Sequence, residues 1–164
     1  MARRRALVEE LTSAGSMVRA LRADVAEEHD VVAAFAAAAE LGTLSGAVLN
    51  AGITGGFGRV ADLDASNLIR VFAVNVTGAF LCAGEAVRRM STVRGGRGGA
   101  IVAIGSRAAR LGSPGEYVHY AASKAAVETM TLGLAKEVAA EGDPREPRRS
   151  RTYRNGYPWA SWTS

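Results

Sequence analysis

The sequence predicts an α/β fold in which helices alternate with the strands of a parallel sheet. Two apolar runs, SGAVLNAG (45–52) and GGAIVAIGS (98–106), have the length and composition of buried strands. A long helical stretch separates them, and a second one follows the later run. This alternation is typical of crossover connections between parallel strands.

The remaining elements follow from local signals. MVRALRADV (17–25) predicts a short strand ahead of the other two. Asp64 can cap a helix and Gly42 can end one, because both residue types are favoured at those positions. A loop containing Gly55, Gly56 and Gly58 follows the 45–52 strand. Helices are predicted over residues 4–14, 27–42, 65–91 and 116–141.

Composition indicates one packed domain in the cytoplasm. The chain has 164 residues, of which 48% are hydrophobic, and no apolar run approaches the ~20 residues that span a bilayer. Its N-terminus lacks the apolar core of a secretory signal. Cys82 is the single cysteine, and His29 and His119 are scattered, so we expect no disulfide and no metal site.

The net charge of +4 does not indicate a nucleic-acid-binding protein. Five arginines, one aspartate and one glutamate lie in the last 22 residues, which therefore carry +3 of the total. The arginines are not interleaved with a pattern of stacking aromatics, and no recognition fold accompanies them. We expect neither nucleic acid nor membrane among the partners.

Polar residues stand at the ends of the predicted strands. Asp24, Asn50 and Ser106 follow or close the three apolar runs. In open parallel sheets, ligands bind beyond the carboxyl ends of the strands. The sequence therefore predicts the functional site at this edge of the sheet.

The stretch EYVHYAASK (116–124) places two tyrosines ahead of one lysine. Tyr120 and Lys124 are four residues apart, so they share one face of a helix, whereas Tyr117 lies two turns from the lysine. A nearby cation favours the phenolate and lowers the pKa of a phenol toward a useful range. The alternative is an amphipathic helix with one aromatic residue and one solvated lysine.

Four signals, RADV, LNAG, NVTG and a strand-end serine followed by YAASK, occur in this order. Together they resemble the classical short-chain dehydrogenase/reductase family over about residues 1–142. The resemblance implies a Rossmann-type doubly wound parallel sheet and an oxidoreductase that uses NAD or NADP. It also implies a small-molecule carbonyl or alcohol substrate and a homo-oligomer, commonly a tetramer formed through the two long helices.

The resemblance assigns four catalytic residues. Tyr120 would be the acid/base, and Lys124 would lower its pKa and bind the nicotinamide ribose. Ser106 would hold the substrate oxygen, although fourteen residues separate it from Tyr120, one more than is common in the family. Asn75 would place a water in the proton relay; alone, it could be a satisfied polar residue in a helix. Tyr117 would be a wall of the substrate pocket or a packing residue, and His119 would be structural.

The resemblance also assigns the cofactor-binding residues. Asp24 would accept a hydrogen bond from the adenine amino group, although by itself it could be a helix cap. Asn50, Ala51 and Gly52 would lie against the cofactor, where small residues let the backbone approach closely. Tyr120 and Lys124 complete the cofactor-binding set. Alone, the NAG sequence is merely a turn.

The sequence departs from the family pattern at both ends. The T-G-x-x-x-G-I-G turn that gives backbone N–H groups to a pyrophosphate has no counterpart, since GITGGFG (52–58) follows the wrong strand. We therefore expect a truncated sheet, with the first and last strands of the family missing. The alternative function is a catalytically inactive fragment that lacks the glycine-rich cofactor loop.

Residues 143–164 form a basic tail outside the partial dinucleotide-binding domain, and we expect this tail to be disordered. In the family, a segment of the type I-R-V-N-x-x-x-P-G follows at this point. Allowed codons for DPREPRRSRTYRNGYP, read one nucleotide later, can spell IRVNRAGPGLIETDTH. This agreement suggests an out-of-frame tail, and the alternative is a natural basic tail that binds an acidic partner.

Overall fold

The computed structural model describes residues 2–139 and 160–162. It contains six α-helices within these residues: α1 (Ala2–Ser13), α2 (Glu28–Ala39), α3 (Ala65–Phe72), α4 (Gly78–Met90), α5 (Ala108–Leu111) and α6 (Val118–Val138). The strands are β1 (Gly46–Leu49), β2 (Gly99–Ala103) and β3 (Ala160–Trp162). Short 3₁₀ turns cover Val60–Asp62 and Thr92–Arg94, and a π-helical turn covers Ala73–Thr77.

The sheet is built on the two predicted apolar runs. β1 and β2 pair in parallel, with Gly46 opposite Ala100 and Leu49 opposite Ala103. β3 adds antiparallel to the other edge of β2, so the strand order is β1-β2-β3. The prediction of a parallel α/β sheet is confirmed. Residues 143–159 and 163–164 of the predicted tail lie outside the described residues, and residues 160–162 form β3.

The core lies between the sheet and two helices. Met90 and Ala86 of α4 pack with Ile101 of β2 and Val138 of α6, and all four side chains are buried. A second cluster joins Ala83 of α4 to Val127 and Met130 of α6. Helix α2 packs on α4 and places Phe35 against the first cluster, and its residues Val31 and Ala37 are buried. These contacts hold the carboxyl ends of β1 and β2 beside the first turns of α6.

The predicted strand at 17–25 is wrong. Residues 16–24 form no regular secondary structure in the described chain, and a turn follows at Val25 and Ala26. An isolated extended segment is not stable as a strand, because its backbone groups need a ladder partner. β1 and β2 pair with each other instead, and Met17 remains 75% exposed.

The long helix predicted over 65–91 is interrupted. Asp64 caps it as predicted, because its carboxylate accepts a hydrogen bond from the Asn67 N–H at 3.3 Å. The π-helical turn then separates α3 from α4. Such turns are rare and occur frequently at functional sites. Here the turn carries Asn75, whose side chain is buried.

By length and hydropathy alone, Ala65–Met90 could cross a membrane. Within the fold 28% of its most apolar window is buried, and Val71, Ala86 and Met90 are the fully buried side chains. Its buried Glu85 also forms ion pairs with Arg88 and Arg89.

Candidate functional site

The candidate site lies where β1 and β2 end together. Because the strands are parallel, the segment after β1 (residues 50–53) and the segment after β2 (residues 104–107) leave the sheet at the same edge. The π-helical turn and the start of α6 pack against each other beside it. Residues from four separate parts of the sequence therefore meet here.

Asn75 ties the segment after β1 to the helices. Its Oδ1 accepts a hydrogen bond from the Ile53 N–H at 2.8 Å, and its Nδ2 donates to the Ile53 carbonyl at 2.8 Å. The same Nδ2 donates to the Ser123 Oγ at 2.9 Å. The side chain is 1% exposed, and these three bonds satisfy it. Asn75 thus fixes the backbone that follows the NAG sequence.

Ser123 is a site residue that sequence reasoning missed. Its Oγ accepts from Asn75 and donates to the Tyr120 carbonyl at 2.7 Å, so it connects the π-helical turn to the first turns of α6. The side chain is fully buried. The available signal was a small hydroxyl residue three positions after Tyr120, on a helix otherwise rich in alanine.

Lys124 lies at the centre of the arrangement. It is only 5% exposed, and its Nζ donates to the Ile104 carbonyl, just beyond β2, at 2.7 Å. The same Nζ is 5.9 Å from the centroid of the Tyr120 ring. Burial lowers the pKa of the Lys124 ammonium, because desolvation disfavours the charged form. The solvated lysine of the alternative interpretation is therefore wrong.

Gly52 brings the NAG segment against these side chains. A Cβ at this position would lie 3.3 Å from the Asn75 Oδ1 and 3.5 Å from the Lys124 Nζ. The first distance is tighter than ordinary packing, so a side chain would require the Asn75 amide to shift by a few tenths of an ångström. Glycine lets the NAG segment approach Asn75 and Lys124 closely.

Ser106 and Tyr120 lie on neighbouring elements. Ser106 follows β2, and its Oγ accepts a hydrogen bond from the Ala108 N–H at 3.2 Å at the start of α5. Tyr120 lies in the first turn of α6, which packs on α5, and both residues are half-buried. Among the hydrogen bonds of the described residues, none joins the two hydroxyl groups.

Asp24 lies apart from this cluster. One carboxylate oxygen accepts from the Ala26 N–H at 3.0 Å, and the other pairs with the Arg70 guanidinium at 3.0 Å. These two partners, the Ala26 N–H first, hold the pKa of Asp24 below its usual range. The carboxylate closes a turn ahead of α2 but does not cap this helix, because the N-cap residue of α2 is Glu27 and the Ala26 N–H lies outside the helix.

A cavity of about 270 Å³ extends from the site along the edge of β1. Its walls come from Val25, three residues of α2, the strand β1 and the start of α4, and its rim carries Asn50 and Ala51. The cavity thus connects the neighbourhood of Asp24 to the NAG segment. Asn50 and Ala51 line the cavity and are exposed, and the following Gly52 is exposed as well.

The residues around the NAG segment suit a ribose and its attached ring better than they suit the pyrophosphate of a dinucleotide. Exposed backbone at the NAG segment and a buried ammonium beside it fit a ribose and its attached ring. A pyrophosphate needs a cluster of N–H donors at a helix N-terminus. Helix α2, which lines the cavity, begins with Glu28 and Asp30, whose carboxylates repel phosphate.

Tyr117 and His119 face the loop that contains Gly55, Gly56 and Gly58. The Tyr117 ring packs edge-to-face on Phe57 at 5.6 Å, and the Gly58 N–H donates to the Glu116 carbonyl at 2.9 Å. His119 is buried beneath Gly55, and within the described chain its two ring nitrogens have no hydrogen-bond partner. Tyr117 therefore packs on Phe57, and its role as a wall of the substrate pocket stays a prediction.

Comparison with known proteins places this geometry in a family. A family model described as short chain dehydrogenase matches residues 1–142. The chain is 51% identical over 133 residues to the uncharacterized oxidoreductase YgfF of Escherichia coli, covering 80% of this chain and 54% of that protein. It is 38% identical over 133 residues to 2-(S)-hydroxypropyl-CoM dehydrogenase 3 of Xanthobacter autotrophicus, covering 80% of this chain and 50% of that protein.

Solved structures show the same fold. A short-chain dehydrogenase/reductase from Serratia marcescens superimposes with a TM-score of 0.77 at 33% identity, covering 85% of this chain and 55% of that one. A short chain dehydrogenase from Burkholderia cenocepacia in complex with NADP superimposes with a TM-score of 0.76 at 33% identity, covering 84% of this chain and 54% of that one. The chain spans about half the length of the relatives it matches. The NADP complex supports NAD(P) as the cofactor of this fold.

Proposed function

The chain belongs to the short-chain dehydrogenase/reductase family, and from this premise we propose that its site transfers hydride between NAD(P) and a carbonyl or alcohol substrate. The observation that carries the proposal is the position of Lys124. Its buried ammonium lies beside Gly52 of the NAG segment and one helical turn from Tyr120. A structural lysine would not need this burial, which destabilises its charge.

In the reductive direction, Tyr120 donates its hydroxyl proton to the carbonyl oxygen of the substrate. The Lys124 ammonium stabilises the phenolate that forms, because opposite charge at close range favours the ionised phenol. Ser106 donates a hydrogen bond to the same substrate oxygen, where negative charge develops. The oxidation of an alcohol uses the same groups in reverse, with the phenolate as base.

Asn75 and Ser123 hold these groups in place. The bonds from Asn75 to Ile53 fix the NAG segment, and the bond through Ser123 to the Tyr120 carbonyl fixes the catalytic turn of α6. The water-placing role of Asn75 remains a prediction. Its side chain already makes three protein hydrogen bonds, so we assign it first to positioning.

Asn50, Ala51, Gly52 and Lys124 would hold the nicotinamide-ribose half of the cofactor, with Asp24 toward the adenine end. The bound nicotinamide supplies or accepts the hydride. For Asp24 to accept from adenine, its carboxylate must share or release Arg70, with which it pairs in this structure. The exposed side chains of Ile69, Phe80 and Leu132 on α3, α4 and α6 support a homo-oligomer formed through these helices.

The competing function is a family member that retains the catalytic side chains but does not bind the cofactor productively. The acidic first turn of α2 and the absence of the T-G-x-x-x-G-I-G turn from the sequence favour this alternative. Experiment can separate this alternative from hydride transfer, because the inactive alternative predicts no turnover and no saturable binding of NADH or NADPH.

The test is turnover and cofactor binding by the 164-residue chain. NADH and NADPH oxidation would be followed with a panel of aldehydes and ketones, and binding would be measured by calorimetry. Tyr120→Phe should lower kcat by about 10²–10⁴-fold, the usual contribution of a general acid. The matched variant Tyr117→Phe should stay within a few-fold of the unaltered chain.

Equal losses from the two substitutions would refute the assignment of Tyr120. Absence of both binding and turnover would establish the inactive alternative. Binding without turnover would separate the cofactor site from the proposed chemistry.

A further inference from the structure

We infer that the substrate of this site carries an aromatic ring, and that the rings of Phe57 and Tyr117 bind it beside the reacting carbon. This substrate class rests on the proposed function, because it belongs to the same site and the same chemistry. A binding measurement that needs no turnover separates the failure of this substrate class from the failure of hydride transfer.

Large apolar side chains are exposed on both segments that leave the sheet at the site. Ile53 and Phe57 follow β1, and Ile104 and Leu111 follow β2. All four side chains are exposed, and Phe57 is 71% exposed. Single exposed apolar residues are normal on a protein surface, whereas a group of them around a functional site indicates a surface for an apolar ligand. The surroundings of the proposed catalytic groups therefore favour an apolar substrate.

The loop over residues 53–58 brings Phe57 to the start of α6. At one end, Asn75 holds the first residue of the loop through two backbone hydrogen bonds. At the other end, the Gly58 N–H donates to the Glu116 carbonyl at 2.9 Å, just ahead of α6. The loop is thus anchored at both ends, and it carries Phe57 from the NAG segment to the helix that contains the proposed catalytic tyrosine.

Phe57 and Tyr117 form a right-angled aromatic corner. Their ring centroids are 5.6 Å apart, and the angle between the ring planes is 89°. A third ring can stack on one of them and meet the other edge-on, and aromatic quadrupoles favour both arrangements. Such a ring pair strengthens binding about two- to tenfold beyond the area it buries. A saturated ring of the same shape lacks this contribution, so the corner selects aromatic groups over other apolar groups.

The aromatic corner lies about one helical turn from the proposed acid. Tyr117 precedes Tyr120 by three residues, which corresponds to a rise of about 4.5 Å along a helix. A ring bound at the corner therefore places an attached carbonyl group within reach of the Tyr120 hydroxyl. In reduction, the hydride of NAD(P)H would go to the carbonyl carbon and the Tyr120 proton to its oxygen. An aryl aldehyde or ketone would thus become an aryl carbinol.

The charges around the corner do not select an ionic substrate. Arg59, Arg107 and Glu116 adjoin these segments, are exposed and carry both signs. Arg110 already faces the Glu128 carboxylate at 4.0 Å. A charged substrate group would meet attraction and repulsion together, whereas an uncharged ring gains from the apolar surface.

The probes are 2-naphthylmethanol, an aryl carbinol, and its saturated counterpart decahydro-2-naphthylmethanol. Calorimetry gives the Kd of each alcohol for the 164-residue chain, with and without NADPH. The aromatic alcohol should bind about two- to tenfold more tightly than the saturated one. Phe57→Ala should weaken binding of the aromatic alcohol about tenfold and remove the preference. Phe57→Tyr, which keeps the ring, should stay within a few-fold of the unaltered chain.

Two control variants locate the bound alcohol. Val60→Ala removes an exposed apolar side chain beyond the anchor at Gly58, and it should change neither Kd. The cavity beside β1 is a second apolar surface, so Ala38→Phe, which fills that cavity, should also leave both Kd values unchanged. If Ala38→Phe does not fold, the comparison of Phe57→Ala with Val60→Ala decides the question.

Turnover of 2-naphthaldehyde with NADH and NADPH separates the substrate class from the chemistry. Phe57→Ala should raise KM about tenfold and leave kcat nearly unchanged, because the corner binds the ground state and the transition state alike. Binding at the corner without turnover by the unaltered chain would refute hydride transfer and support the aromatic site.

Four outcomes would overturn the proposal. Failure of both alcohols to bind, with and without NADPH, means that the corner is not a ligand surface. Equal Kd values for the aromatic and the saturated alcohol mean that the corner does not select a ring. Equal losses from Phe57→Ala and Val60→Ala, or loss of binding in Ala38→Phe alone, mean that the alcohol binds elsewhere.

Discussion

At the scale of single residues, Lys124 shows most clearly how function opposes stability. Its ammonium is buried, its described hydrogen-bond partner is the Ile104 carbonyl, and its pKa is lowered by desolvation. Folding must remove water from a charge that one neutral acceptor stabilises only in part. A functional role explains why this ammonium is buried: its charge acts on Tyr120 and on a ligand at the NAG segment.

Lys124→Met should change how stability depends on pH. Because the native pKa lies below the unfolded value of about 10.4, the unfolded chain binds the proton more tightly, and the buried charge destabilises the native state at neutral pH. This cost falls as pH rises through the native pKa. The free energy of unfolding of the unaltered chain should therefore increase relative to that of the variant between neutral pH and about pH 10.

Denaturant unfolding at several pH values measures this difference. Lys136→Met is the control, since Lys136 is the other lysine of the chain and is exposed on the same helix. Its difference from the unaltered chain should be independent of pH. A flat difference for Lys124→Met as well would contradict the proposed cost of burying the charge.

At the scale of elements, the π-helical turn between α3 and α4 positions the site. It directs Asn75 toward Ile53 and Ser123, and it is followed at once by Gly78, which packs on Val25. A Cβ on Gly78 would lie 2.7 Å from Cγ2 of Val25 and 3.0 Å from its carbonyl oxygen. The glycine therefore lets α4 approach the turn that precedes α2.

Gly78→Ala should destabilise the chain although alanine is the better helix former. The gain in helix propensity is about 1 kcal/mol, and overpacking against fixed backbone typically costs about 1–3 kcal/mol. We expect a net loss of about 1 kcal/mol in the free energy of unfolding. Gly133→Ala, at an exposed helical position of α6 with open space around it, should instead stabilise by up to about 1 kcal/mol.

Chemical denaturation of the two variants gives the comparison. Changes of the same sign would mean that contact with Val25 does not constrain Gly78, and the argument for close approach would fail.

At the scale of the whole molecule, stability depends on the layer between β2 and the helices α4 and α6. Met90 is fully buried there and packs in the cluster that joins all three elements. Met90→Ala should lower the free energy of unfolding by about 2–5 kcal/mol, because it removes apolar contacts and leaves a cavity.

Val93→Ala is the matched control, since Val93 is 74% exposed three residues later, and it should change stability by less than about 0.5 kcal/mol. Denaturant midpoints at a constant m-value would measure both. Similar small effects would show that this layer does not form a cooperative core.

The sequence alone was sufficient for features that depend on neighbouring residues. The helices α1, α2 and α6, the cap at Asp64 and the runs that became β1 and β2 carry local patterns of period, cap or composition. The spacing of Tyr120 and Lys124 fixed their common helical face, because helical geometry is local. The ordered motifs also identified the family, which the comparison confirmed.

The tertiary structure decided everything that requires a distant partner. Residues 17–25 have the composition of a strand, but a strand exists only where another strand pairs with it. The burial of Lys124, the link through Ser123, and the pairing of Asp24 with Arg70 depend on segments that are remote in the chain. Local sequence sets what each segment can form, and only the packed arrangement determines which of its polar groups find partners.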